Sequence, residues 1–194
     1  MTVVRTFIAI EMPKVLQRAL DKASVNLRRQ MADLPIRWLR TDNIHLTLKF
    51  IGETSEEIIP RIVAIIEEQA SKVTPFEIQL GGLGVFPNPR KPLVLWVGVQ
   101  APATLLRLQQ GIEVGLTQLG IAAEERPFHP HLTLGRVRRD HRVANLKRMG
   151  ELMVAAGLEP SPSALIDSVT LFRSDLKPGG SVYNPLSRNP LLGN

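Results

Sequence analysis

This sequence predicts an α+β fold of two pseudo-symmetric lobes, each an antiparallel sheet with helices packed outside, together forming a central groove. Three observations point there. The tetrapeptide His-Leu-Thr-Leu occurs twice, at His45-Leu46-Thr47-Leu48 and His131-Leu132-Thr133-Leu134, 86 residues apart. Around each copy the apolar periodicity runs in the same order: strand, helix, motif strand, helix, strand. A proline-rich loop at residues 86–92 (FPNPRKP) joins the halves. The expected organisation is a single bilobal domain over 1–194. Its internal repeat covers about 1–85 and 92–175, and a C-terminal hairpin strand spans 180–187.

The first half opens with an apolar run at residues 3–10 (VVRTFIAI), which reads as a buried strand. Leu16, Leu20, Ala23, Leu27 and Met31 recur at spacings of three or four and predict a helix over 13–31, with Pro13 suited to its first turn. The first motif strand covers 44–51 and Gly52 is expected to end it. Thr54-x-x-Glu57 has the form of a capping box for a helix running to about Lys72, with Ile58, Ile62 and Ile65 inward. Pro60 implies a kink there or a later start. Alternation at 76–80 (FEIQL) predicts a half-buried strand.

The order then restarts. Residues 93–99 (LVLWVGV) read as a strand. A helix follows from about Pro102, with Leu105, Leu108, Ile112, Leu116 and Leu119 inward. Gly111 and Gly115 oppose that helix, whereas Gly120 suits its end. The second motif strand covers 131–138. A fourth helix runs from near Asp140 or His141 to Gly157, with Val143, Leu146, Met149 and Met153 on its core side. Residues 164–173 (ALIDSVTLFR) predict one strand, and Pro178-Gly179-Gly180 turns the chain toward a last one near 182–186.

Composition narrows the function. Hydrophobic residues make up 44% and charged residues 22%, as in ordinary soluble domains. The absence of Cys excludes disulfides and thiolate metal sites. A reducing compartment fits, so a cytoplasmic location is expected. The apolar stretch at 7–10 is too short for a signal peptide and Glu11 interrupts it; no run approaches a membrane span. A monomer with no membrane partner is expected. The formal charge is +6. Arg37 and Arg40 precede the first motif, and Arg136, Arg138, Arg139 and Arg142 follow the second, which suits a phosphate-bearing ligand.

Side chains alternate along a strand, so residues i and i+2 share a face. His45 and Thr47 point one way while Leu46 and Leu48 enter a core; His131 and Thr133 repeat the pattern. Two such strands side by side bring two imidazoles and two hydroxyls into one cleft. Imidazole titrates near neutrality, so one ring can give a proton while the other takes one. Residue types alone do not say which is the acid. Arg136 is a candidate phosphate clamp. Strict alternation points it away from the cleft, but Gly135 permits a bulge that would re-aim it. Phe50 holds the equivalent offset after His45. It is a possible base contact, although alternation favours the core beside Leu46 and Leu48.

His129 and His131 share a strand face, but no carboxylate cluster accompanies them, so no metal and no cofactor are expected. Gly81-Gly82-Leu83-Gly84 lacks the Lys-Ser/Thr and helix of a phosphate loop and reads as a bulge or turn. Trp38 and Trp96 read as packing residues, His141 as a solvated residue, and Tyr183 receives no role.

The whole chain resembles the 2H phosphoesterase superfamily, and within it the RNA 2′,3′-cyclic phosphodiesterases of the 2′-5′ RNA ligase family. The resemblance rests on RTFIAI at 5–10, WLRTDNIHLTLKFIG at 38–52, FHPHLTLGR at 128–136 and LFRSDLKPGGSVY at 171–183. It implies metal-independent opening of a 2′,3′-cyclic phosphate at an RNA end to leave a 2′-phosphate. It implies His45 as proton donor and His131 as proton acceptor. RNA with cyclic phosphate ends, including tRNA fragments, is the implied partner. Two other readings stay open. One is 2′-5′ ligation of tRNA halves, and the other is a non-catalytic RNA-end-binding module.

Overall fold

The computed structural model describes residues 2–138, 143–178 and 180–193. The expectations for Arg139, Asp140, His141, Arg142 and Gly179, and for the Val143 side chain, fall outside the described residues. Nine strands are described: β1 Val3–Glu11, β2 Ile36–Trp38, β3 His45–Ser55, β4 Phe76–Phe86, β5 Val94–Gln100, β6 His131–Val137, β7 Ala164–Ile166, β8 Ser168–Lys177 and β9 Gly180–Pro190. Four helices accompany them: α1 Lys14–Gln30, α2 Ile59–Ser71, α3 Ala103–Thr117 and α4 Val143–Ala155.

The strands form one antiparallel path, β7-β4-β5-β6-β3-β1-β8-β9, with β2 added on β6. The motif strands β3 and β6 meet at its centre, where Leu46 pairs with Leu132. Each half sends its later strand across this centre. β4 of the first half pairs with β5, and β8 of the second pairs with β1. One residue, Asp167, separates β7 from β8, yet they stand toward opposite ends of the path. The sheet therefore curls until its ends approach one another.

Leu46, Leu48, Leu132 and Leu134 are all buried, in one core with Leu16 and Leu20 of α1, Ile62 and Ile66 of α2, Leu105 and Leu108 of α3, and Met149 and Met153 of α4. A slip of one residue in either motif strand would turn two of these leucines to the other face. At about 1.5–3 kcal/mol for each buried Leu, that is a large part of a typical domain's stability of about 5–15 kcal/mol. Burial thus fixes the register that aims the histidines.

Several elements depart from the expectation. β3 does not end at Gly52 but passes through it to Ser55, with Gly52 at φ +86° beside a shift in the β1 ladder. Only glycine takes that conformation without strain. The cap belongs to Ser55, whose Oγ accepts from the Glu57 N–H; Thr54 is buried and hydrogen-bonded to Thr6 at 2.7 Å. α2 starts late, with Pro60 in its first turn, and buries Ile66 more deeply than Ile65. α3 runs through Gly111 and Gly115 because α2 lies against them: a Cβ on Gly115 would stand 2.5 Å from Ile65 Cγ2. The strand expected over 164–173 breaks at Asp167, and β2 is too short for periodicity to reveal. The Gly81–Gly84 segment is a strand with a ladder shift between Leu80 and Leu83.

Candidate active site

The two motif strands present the same pattern. His45, Thr47, His131 and Thr133 are half-buried, and the leucines between them are buried. The antiparallel Leu46–Leu132 pairing sets the His45 position against that of Thr133 and Thr47 against His131. The four polar side chains therefore share the face opposite the helices.

Both imidazoles are oriented alike. His45 Nδ1 bonds the Asn43 carbonyl at 3.0 Å, and His131 Nδ1 bonds the His129 carbonyl at 2.6 Å. A carbonyl only accepts, so Nδ1 carries the hydrogen in each ring. This leaves Nε2 as the nitrogen free to exchange a proton with a ligand.

Their surroundings differ. Phe7, Phe172 and Tyr183 wall in His45, with ring centroids at 4.7, 6.3 and 5.0 Å, Tyr183 edge-on. Phe7, Ala9 and Phe172 form a small apolar cluster separate from the main core, with Tyr183 packed on it. Burial among these groups pushes the His45 imidazole down to about pKa 4. His131 has Phe86 edge-on at 4.9 Å and Trp96 at 6.3 Å. Its pKa is also lowered, first by burial and then by the Arg136 cation and the neighbouring His129.

The same irregularity occurs in both motif strands. Against β1, Thr47 pairs with Ala9, Lys49 with Ile8 and Phe50 with Phe7, so one residue of β3 is skipped. Against β5, Thr133 pairs with Trp96, Gly135 with Leu95 and Arg136 with Val94, which skips one residue at the equivalent place. Ala9 and Phe7 share a face of β1, as Trp96 and Val94 do of β5. Each shift therefore returns the fifth residue after the histidine to the face of the histidine. For Arg136 the ladder shift at Gly135 is present. For Phe50 the expectation of a core position is overturned: it is 62% exposed, 5.9 Å from the Phe7 ring, because the bulge reverses the alternation after Thr47.

Behind the first bulge lies a polar cluster that sequence reasoning missed. Lys49 is 5% exposed and pairs with Glu113 of α3 at 2.5 Å, while also donating to the Ala122 carbonyl. Gln109 donates to the Leu48 carbonyl at the bulge. A strand Lys whose partner is a helical Glu 64 positions on carries no local signal. The aromatic wall was equally hidden, because Phe7 sits in a run that reads as buried on both faces. Trp96 packs over Gly84, and its indole N–H is a buried polar group without a partner among the described residues. His129 is exposed and contributes its carbonyl. Among the described residues, no group of three or more His, Asp or Glu is placed to hold a metal. No described helix is long and apolar enough to cross a membrane.

A curled antiparallel sheet with a histidine–threonine pair on each of its two central strands is a phosphoesterase architecture, and comparison with known proteins agrees. Residues 13–178 match the 2′-5′ RNA ligase superfamily, and the chain belongs to that family. It is 33% identical to an RNA 2′,3′-cyclic phosphodiesterase of Methanothermobacter thermautotrophicus, over 94% of this chain and 96% of that one. The crystal structure of TT0787 of Thermus thermophilus superposes with a TM-score of 0.79 at 30% identity, covering 97% of this chain and 98% of that one. Escherichia coli LigT complexed with 3′-AMP gives 0.74 at 26% identity, covering 98% and 99%.

Proposed function

We propose that this protein is an RNA 2′,3′-cyclic phosphodiesterase that opens the ring without a metal and leaves a 2′-phosphate. The observation carrying this reading is that two Nε2 atoms, fixed by equivalent Nδ1 bonds, come from facing strands onto one groove face. Relatives bearing that enzyme name, and a LigT complex with 3′-AMP, support the substrate class.

Ring opening requires water to lose a proton, the 3′-oxygen to gain one, and charge on the non-bridging oxygens to be held, with entering and leaving oxygens in line. His131 takes the proton of water through Nε2, and His45 protonates the 3′-oxygen. Thr47 and Thr133 donate to phosphoryl oxygens, and Arg136 offsets their charge. The surroundings of the two rings set what this division of labour requires. In the free protein both rings hold a proton less readily than an ordinary imidazole, His45 with a pKa of about 4. An entering phosphodiester anion favours protonation of both. Beside His131 the Arg136 cation counteracts it; the aromatic wall around His45 supplies no cation. For His45 to donate near neutrality the bound anion must raise its proton affinity well above pKa 4, whereas Arg136 opposes the same rise at His131.

The test is incubation of a short oligonucleotide ending in 2′,3′-cyclic phosphate with EDTA present, followed by identification of the terminal phosphate. A 2′-phosphate is expected. A 3′-phosphate, or no product, contradicts the reading. Ligation is the same ring opening with a 5′-hydroxyl in place of water, which leaves a 2′-5′ linkage, and adding paired tRNA halves to the same assay scores it.

A further inference from the structure

Arg37 lies on β2, and the ladder sets it directly opposite Arg136 of β6. Directly opposed residues project from the same face of a sheet, so Arg37 shares the groove face with Arg136. Both are exposed, and neither guanidinium makes a hydrogen bond or an ion pair with another described residue. Like charges placed opposite one another weaken a ladder. Two uncompensated guanidiniums at such a position are the arrangement an anion would stabilise.

Arg37 also reaches across the groove. Its Nη2 stands 3.3 Å from where a Cβ on Gly180 would lie, at the start of β9 in the other lobe. Asn43 donates to the neighbouring Ser181 carbonyl at 3.4 Å, so β9 starts close to the entrance of β3. A side chain on Gly180 would crowd the guanidinium.

The spacing identifies the anion. Along β5, the partner of Arg136 is two residues from the partner of Thr133. At about 3.3 Å per residue this puts Arg136 about 6.6 Å beyond the reacting phosphate's threonine, with Arg37 about 5 Å further, one strand over. The long Arg136 side chain can serve the reacting phosphate and its neighbour; Arg37 is placed for the neighbour alone. We propose that Arg37, with Arg136, forms a second phosphate subsite that holds the internucleotide phosphodiester one nucleotide 5′ of the cyclic phosphate. Charge-assisted hydrogen bonds from two guanidiniums replace their mutual repulsion with a bridge. The inference rests on the proposed function and makes the enzyme selective for RNA ends over free cyclic nucleotides, which carry no second phosphate.

The experiment compares kcat/KM for a nucleoside 2′,3′-cyclic monophosphate and for a trinucleotide ending in the same nucleotide. The wild-type protein should prefer the trinucleotide. Arg37→Gln should lower kcat/KM on the trinucleotide about 10- to 100-fold, the range of one hydrogen-bonded charge, with less than about twofold change on the monophosphate. Arg37→Lys should keep most of the salt dependence, whereas Arg37→Gln should reduce its slope by about 0.7, one single-strand phosphate contact. A trinucleotide with a neutral methylphosphonate at the upstream linkage should be turned over equally by wild type and Arg37→Gln. Equal losses on both substrates, no loss on either, or an undiminished Arg37→Gln effect on the methylphosphonate would overturn the subsite. If the wild type hydrolyses neither substrate, the proposed function itself fails; if it hydrolyses both equally, only the subsite does.

Discussion

β3 and β6 share a motif, a bulge and an Nδ1 hydrogen bond, but little else. Where β3 carries Lys49 and Phe50 after its bulge, β6 carries Gly135 and Arg136. Where β1 offers Ala9 beside Thr47, β5 offers Trp96 beside Thr133. In the proposed mechanism the duplicated backbone fixes where protons are exchanged, and the unmatched neighbours are what distinguishes the two rings. The result is one imidazole in an aromatic wall and the other beside a cation, with both proton affinities lowered first by burial and that of His131 further by Arg136. A symmetric scaffold thus places its two histidines in unequal surroundings.

Removing either imidazole breaks the comparison most severely. His131→Ala and His45→Ala should each lower kcat by about 10²- to 10⁴-fold with folding intact, checked by initial rates alongside circular dichroism. The bulges should fail unequally. Lys49→Met strands Glu113 and should cost about 3 kcal/mol in urea unfolding, near the low end for a broken buried pair because Glu113 keeps the Glu124 N–H. Gly135→Ala places a Cβ 2.9 Å from Ile36 Cγ2 and should cost about 1 kcal/mol.

Acidity separates the two halves further. With an unfolded value of 6.5 and a folded value of about 4, His45 binds fewer protons in the native state between those limits. Its contribution is complete above about pH 6.5 and is lost as pH falls toward 4, up to about 3 kcal/mol. His45→Asn should flatten that part of the stability–pH curve, measured as the unfolding midpoint from about pH 7 to 4; an unchanged curve would remove burial as the cause. The smallest effect expected is on the pH profile. Phe50→Arg puts a cation on the first half's groove face, at the place equivalent to Arg136. It should move the descending limb of kcat to lower pH by less than about one unit, since a nearby positive charge disfavours the proton His45 must donate.

The sequence made some of this readable and hid the rest for physical reasons. The helices and motif strands were legible because Leu46, Leu48, Leu132 and Leu134 obey period two and the helical leucines obey 3.6. The placement of Phe50 was not, because a bulge resets the period without any residue that forbids regular alternation there. Gly135 did signal the second bulge. The exchange of β4 and β8 between the halves, the insertion of β2 beside β6, and the pairing of Arg37 with Arg136 are long-range choices of partner, on which local periodicity is silent. The wall made by Phe7, Phe172 and Tyr183 gathers residues from three strands, and only the folded sheet brings them to His45.

The sharpest test of the acid–base pair uses an oligonucleotide whose terminal cyclic phosphate has sulfur in place of the 3′-oxygen, a leaving group that needs no proton. With this substrate His45→Ala should turn over at close to the wild-type rate, while His131→Ala should stay as impaired as on the oxygen substrate. Rescue of His131→Ala with persistent loss in His45→Ala would reverse the roles, and rescue of neither would contradict proton donation to the 3′-position altogether.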